Sequence, residues 1–167
     1  TSIGNSAFRY CESLITANFP LVTSIGDNAF QSCTGLITAY FPSVTSSIRT
    51  NAFYGCTSLT TAYLPRITSI RDQAFYNCTS LTTAHLPSAT NISASAFRGC
   101  TSLKELTIGN VTSTGTGTIF QNVVLDKLTI SGNISDTDIE RIKTLYSGNG
   151  GTFSQSCEIK HGLQVEK

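Results

Sequence analysis

NAFYGCTSLTTAYLP, residues 51–65, is the stretch on which the fold turns: four other segments repeat its spacing and a sixth approximates it. An Ala-Phe pair recurs at Ala7-Phe8, Ala29-Phe30, Ala52-Phe53, Ala74-Phe75 and Ala96-Phe97, in steps of 22, 23, 22 and 22 residues. Three residues after each Phe stands Cys11, Cys33, Cys56, Cys78 or Cys100, and three further on Leu14, Leu36, Leu59, Leu81 or Leu103. A strand-like L-x-x-A-x-[FL]-P follows, ending at Pro20, Pro42, Pro65 and Pro87, and an Ile five residues before each Phe completes the frame. A fixed period in this range predicts a solenoid, because one short unit cannot bury its own apolar face and must use its neighbours as core.

On that reading the Ile, Ala, Phe, Cys, Leu, Ala and Leu or Phe of every coil point inward, in columns along the axis. In Leu59-Thr60-Thr61-Ala62-Tyr63-Leu64 apolar and polar positions alternate around Ala62, as in a half-buried strand, and Pro65 ends it for want of an N–H. Five cysteines then share one inward column. Residues stacked in register point the same way, whereas a disulfide needs facing Cβ vectors and Cα atoms within about 7 Å. Free buried thiols, packed as small hydrophobes, are therefore expected. No CxxC occurs and neither His stands in a zinc-type spacing to a Cys pair, so neither a metal nor a cofactor is expected.

The phased positions in SIGDNAFQSCTGLITAYFP (24–42) and IRDQAFYNCTSLTTAHLP (70–87) resemble those of the BspA-like leucine-rich repeats, over residues 1 to about 130. The resemblance implies an α/β-type repeat protein: a curved, right-handed solenoid with a parallel β-sheet on its concave face and turns or short helical segments on the convex one. It also implies display on the surface of a mucosa-associated bacterium or protozoan parasite. Adhesion or host-matrix binding would be the role, with no shared catalytic site.

Composition is consistent with a single cooperative solenoid of 167 residues. Formal net charge is +1 and only 13% of residues are charged, which argues against nucleic acid or an anionic membrane as partner. The polar residues are mostly Thr, Ser, Asn and Gly, a composition common in extracellular repeat proteins. No run reaches the roughly 20 apolar residues of a membrane helix, and no signal peptide is visible. Thr1-Ser2-Ile3-Gly4 matches the mid-repeat Thr23-Ser24-Ile25-Gly26, so residues upstream are expected.

Along the chain, an extra residue near Ser46-Ser47 belongs in a loop, and the glycine-rich 109–119 should be a looser connection. A sixth coil recovers at Ile119-Phe120, with Val123 where Cys would stand, a sign that the position needs a small apolar body rather than a thiol. The solenoid is assigned residues 1–131. Residues 132–167 form an irregular C-terminal cap, with one helix over about 136–146, covering the convex or open end of coil six, and a strand over about 153–160. Ile139, Ile142, Leu145 and Tyr146 share a helix face, Ser135 or Asp136 caps it and Gly148 ends it. Asn-x-Ser/Thr triplets at Asn77, Asn91, Asn110 and Asn133 matter only if the source glycosylates.

Outward positions of successive parallel strands form columns about 4.8 Å apart. One column is Thr16, Thr38, Thr61, Thr83, Glu105, Lys127; the other is Asn18, Tyr40, Tyr63, His85, Thr107, Thr129. Asn18, Tyr40, Tyr63, His85, Thr107 and Glu105 are the candidate binding residues, because amphipathic rings among hydroxyls suit a protein or glycan partner. The plainer alternative is that these rings serve the sheet through cross-strand contact. No catalytic residue is expected: His85 lacks a nucleophile or carboxylate on its own rung, and the Asp136, Asp138, Glu140 group lacks the spacing of a calcium loop. An extracellular interaction or adhesion module is the leading reading. A structural spacer without a ligand is the alternative, and a glycan-active enzyme a distant third.

Overall fold

A computed structural model of the chain describes residues 1–115, 118–132 and 134–161, the last by its backbone. Asn133, with its glycosylation triplet, the middle of the glycine-rich connection and the tail beyond 161 lie outside the described residues.

Each coil contributes two strands. They are β1 (Ser2–Ile3) and β2 (Thr16–Asn18), β3 (Ser24–Ile25) and β4 (Thr38–Tyr40), β5 (Ser47–Ile48) and β6 (Thr61–Tyr63), β7 (Ser69–Ile70) and β8 (Thr83–Leu86), β9 (Asn91–Ile92) and β10 (Glu105–Ile108), β11 (Ser113–Thr114) and β12 (Val124–Ile130). Helix α1 (Asp136–Gly148) and β13 (Thr152–His161) complete the chain. The even strands and β13 form one seven-stranded parallel sheet, the long sheet; the odd strands up to β11 form a second, six-stranded one, the short sheet. The fold is thus a parallel-strand β-solenoid of about six turns with one helix near its C-terminus. The short sheet is an addition to the sequence reading, and it passes into the glycine-rich connection through Ser113↔Asn91 and Thr114↔Ile92. The extra residue of coil three sits beside β5, where the register with β3 keeps only Ile25↔Ile48.

A third ladder runs through the turns opposite the long sheet. The N–H groups of Asn28, Phe30 and Ser32 donate to the carbonyls of Thr50, Ala52 and Tyr54 one coil on, at 3.0, 2.8 and 2.7 Å, and the same trio recurs down the stack. The residues two before and two after each Phe hold positive φ to allow this: Asn28 and Ser32, Asn51 and Gly55, Gln73 and Asn77, Ser95 and Gly99. That is why Asn, Ser and Gly crowd those positions. At Gly99 a Cβ would also lie 2.2 Å from Asn77 Oδ1, so two neighbouring coils share the space of one side chain.

Inside, Phe30, Phe53, Phe75 and Phe97 stack nearly parallel at 5.2 to 5.3 Å, with Phe8 and Phe120 continuing the column at its ends. Beside them, Cys33, Cys56, Cys78 and Cys100 are fully buried and unpaired. Each thiol has a task beyond filling space. Cys56 Sγ donates to Phe30 O at 3.0 Å, Cys78 to Phe53 O at 3.1 Å and Cys100 to Phe75 O at 3.0 Å. The thiol thus binds a second lone pair on a carbonyl that already accepts the N–H of its own coil's Cys, as in Cys56 N to Phe53 O at 3.2 Å. Val123 fills the same space without this bond, so the inward Cys position is polar as well as small. Burial pushes the Cys33 thiol up to about 11 and raises Cys56 and Cys78 too.

Coil one departs from the expected column. Cys11 and Ala7 are exposed and Phe8 and Leu14 only partly covered, because in this structure coil one has a neighbour on one side alone. At the other end α1 supplies the missing neighbour. Ser135 caps it in a reciprocal capping box with Asp138, and Ile139, Ile142 and Tyr146 are its buried residues. Its last turn then imitates a coil: Phe120 N donates to Asn149 O at 3.0 Å, as Phe30, Phe53 and Phe75 do to the Ala of the next coil and Phe97 to Ile119, and the Tyr146 ring stands 4.6 Å from Phe120. Arg141 ties the helix back by donating to Val111 O and, at 2.6 Å, to Asn110 Oδ1. β13 joins β12 in parallel, with a register shift between Leu125 and Lys127.

Thr and Ser hydroxyls explain much of the polar composition. Thr60, Thr82, Ser43 and Ser88 donate to carbonyls one coil earlier at 3.1, 3.0, 2.6 and 2.8 Å. Their abundance therefore has a structural cause independent of location.

Two outcomes are expected. With an alkylating reagent at pH 8 the native protein should keep Cys33, Cys56, Cys78 and Cys100 unmodified until denaturant is added; mass spectrometry reads the sites. Tyr146→Ala should cost about 3–5 kcal/mol, the usual range for removing a buried ring. Hydrogen exchange should show that loss concentrated in β12 and β13, with coils two to four retaining protection.

Candidate interaction surface

The long sheet sets its side chains by simple alternation. In Thr38-Ala39-Tyr40, Thr61-Ala62-Tyr63 and Thr83-Ala84-His85 the central Ala is fully buried, so its neighbours face outward. Both columns expected from the sequence are present in register: Thr16↔Thr38↔Thr61↔Thr83↔Glu105↔Lys127 and Asn18↔Tyr40↔Tyr63↔His85↔Thr107↔Thr129. β13 extends them with Glu158 and Lys160.

Tyr40 and Tyr63 stack at 5.1 Å and Tyr63 and His85 at 5.0 Å, with interplanar angles of 13° and 4°. Tyr63 has both ring faces covered by its neighbours, and Tyr40 and His85 one each. Edges, hydroxyls and an imidazole tip are what they offer outward. Tyr40 and Asn18 are exposed, Tyr63, His85 and Thr107 half-buried. Burial lowers the pKa of His85, which favours a neutral imidazole in the stack. Glu105 is exposed and already engaged, its carboxylate 3.7 Å from Lys127 Nζ, while Lys104 and Asp126 meet at 3.8 Å on the same two rungs.

Two residues on this face escaped the sequence reading. Ile15 and Ile37 precede the strand threonines in coils one and two and remain 54% and 43% exposed, beside Tyr40 at 39%. An isoleucine next to a core leucine reads as core; the outward turn between Leu36 and Thr38 puts it in solvent instead. The signal available was the matching position in later coils, where Thr60, Thr82, Lys104 and Asp126 are all polar. The face therefore grades from apolar and aromatic in coils one to three, through hydroxyls in coil four, to crossed ion pairs in coils five and six.

Among the described residues no three His, Cys, Asp or Glu side chains gather as metal ligands, and no helix is long and apolar enough to cross a membrane. The sequence matches the family model described as "BspA type Leucine rich repeat region" in six copies, over residues 1–123 and 68–140. Among solved structures the chain is similar to the crystal structure of the T. pallidum leucine-rich repeat protein TpLRR, with a TM-score of 0.57 and 24% identity over 92% of this chain and 79% of that one. It is also similar to a leucine-rich repeat protein from Bacteroides ovatus ATCC 8483, with a TM-score of 0.44 and 16% identity over 100% of this chain and 67% of that one. No curated protein matches. Repeats of this kind are in general protein-interaction scaffolds, typically without enzymatic activity. Six copies of the repeat, stacked in the register described above, make this chain a member of the BspA-type leucine-rich repeat family.

Proposed function

We propose that this chain is an extracellular protein-interaction module that seats a partner protein on its long sheet. Ile37, Tyr40 and Tyr63 form the anchor, with Ile15, Asn18, His85, Thr107 and Glu105 around it. The supporting observation is that three of the exposed large hydrophobic side chains, Ile15, Ile37 and Tyr40, lie together on this face at its first coils, whereas Leu21 and Tyr10 stand outside its strands. A protein surface gains from covering aliphatic and aromatic groups that a glycan would leave half-wet. The extracellular location follows the family, whose members are usually displayed or secreted.

The test is capture of a partner from a host-cell surface preparation by the intact chain and by Ile37→Asp/Tyr40→Ala. Loss of about 2 kcal/mol or more in affinity is expected of a central anchor. Capture that survives the double substitution undiminished removes the reading and leaves the spacer. His85 gives a second measurement. Its pKa is lower in the folded chain than the ordinary 6.5, so the unfolded chain binds the extra proton first as pH falls. The stability His85 confers is complete above that ordinary value and is lost as pH drops through it toward the folded value. Thermal unfolding between pH 7.5 and 5.5 should therefore show a smaller decline for His85→Gln than for the wild type.

A further inference from the structure

Three Asn-x-Ser/Thr triplets lie among the described residues: Asn77-Cys78-Thr79, Asn91-Ile92-Ser93 and Asn110-Val111-Thr112. In two of them the fold accounts for the residues. Asn77 stands two after Phe75, where the turn ladder demands positive φ and other coils place Tyr10, Ser32, Gly55, Gly99 and Asn122. Its Oδ1 fills the space that a Cβ on Gly99 would need. Thr79 is one of the threonines that tie coil to coil, its hydroxyl donating to Thr57 O at 3.4 Å. Asn110 Oδ1 accepts from Arg141 at 2.6 Å and so helps to seat α1. Thr112 continues the ladder, its N–H donating to Thr90 O at 2.9 Å as Thr90 N does to Thr68 O at 3.0 Å.

Asn91-Ile92-Ser93 is different. In the short sheet the place of Asn91 is held by Ser2, Ser24, Ser47, Ser69 and Ser113 in the other coils, with Ser69↔Asn91↔Ser113 directly in register. The place of Ser93 is held by Gly4, Gly26, Arg49, Arg71 and Gly115. Two departures from the frame, two residues apart in one coil, complete the triplet together. Packing calls for neither. Among the described residues only their backbones are bonded, Asn91 N to Thr68 O at 3.3 Å and Ser93 N to Ile70 O at 2.8 Å. Ile92 is 1% exposed and points inward, so Asn91 and Ser93 on either side of it face out, and both are half-exposed. The serines on the adjacent rungs, about 4.8 Å away, are short and leave room beside the carboxamide.

We infer that Asn91 is the acceptor of an N-linked glycan carried on the short sheet. The triplet is the one that such transfer reads. Asn91 Nδ2 forms a C–N bond to the anomeric carbon of an oligosaccharide held on a polyprenyl diphosphate. The bond from that carbon to the diphosphate oxygen breaks, Nδ2 gives up one proton and the lipid diphosphate leaves. Transfer takes place on the emerging chain, so the fold decides whether the product is tolerated. At Asn91 the sugar leaves from an outward amide between two serines; at Asn110 it would crowd the guanidinium that seats α1. The glycan is attached outside the long sheet and leaves its partner site open. The inference rests on the extracellular reading, since only an exported chain meets the transferase.

The experiment secretes the intact chain behind an added leader from a eukaryotic culture that performs N-glycosylation. Enzymatic deglycosylation in heavy-oxygen water marks each former acceptor for mass spectrometry. The folded fraction should carry the mark at Asn91; Asn91→Gln and Ser93→Ala should each lose it, and Ser93→Thr should keep it. The glycosylated chain and Asn91→Gln should share one unfolding midpoint and the same amide-exchange protection of β7, β9 and β11. An unmodified Asn91 in the folded fraction overturns the proposal, as do marks confined to Asn77, Asn110 or Asn133, or a lower midpoint for the glycosylated chain. Because the added leader supplies the export, each of these failures strikes the acceptor and leaves the extracellular reading standing.

Discussion

Every coil depends on hydrogen bonds that only the next coil can complete. A unit of about 22 residues is too small to satisfy its own backbone, so three ladders hold it to its neighbour: the long sheet, the short sheet and the turn ladder through Asn28, Phe30 and Ser32. All three work only if equivalent residues stay in register. The phenylalanine column and the alternating left-handed residues around it both follow from that one requirement. Where the repeat ends, α1 reproduces its hydrogen bond and its ring with Asn149 and Tyr146.

With the interior so constrained, the outward columns are where coils differ from one another. The long sheet runs from isoleucine and tyrosine to paired lysines and acids. The net charge near zero sums −1 from residues 1–44, +3 from residues 45–100 and −1 from residues 101–167.

The period, the inward columns and the order of the outward strand residues were legible in the sequence because each is repeated five or six times and alternates with a period of two. The Tyr40, Tyr63, His85 column could be written down before any coordinate. What repetition does not encode was harder to read. Two-residue strands such as Ser24–Ile25 are too short to show alternation. The thiol bond to a Phe carbonyl leaves no mark beyond a Cys that Val123 can replace. Ile15 and Ile37 look like core until compared with polar Thr60 and Lys104. The positive φ before and after each Phe leaves only Asn, Ser and Gly at several of those positions as its trace, which the sequence reading did not use, and Gln73 and Tyr10 show that the backbone imposes it even on poor residues.

The crossed ion pairs of coils five and six lie where the repeat loses a residue, between Val123 and Leu125, and where the spacing of the frame no longer dictates alignment. Lys104 and Glu105 meet Asp126 and Lys127 in inverted order. Sliding the last strand one step either way would set Lys104 against Lys127 or Glu105 against Asp126. The four charges therefore favour the alignment that the buried Leu125, Leu128 and Ile130 already impose, at the junction where an imperfect unit docks and the helix behind it closes the stack.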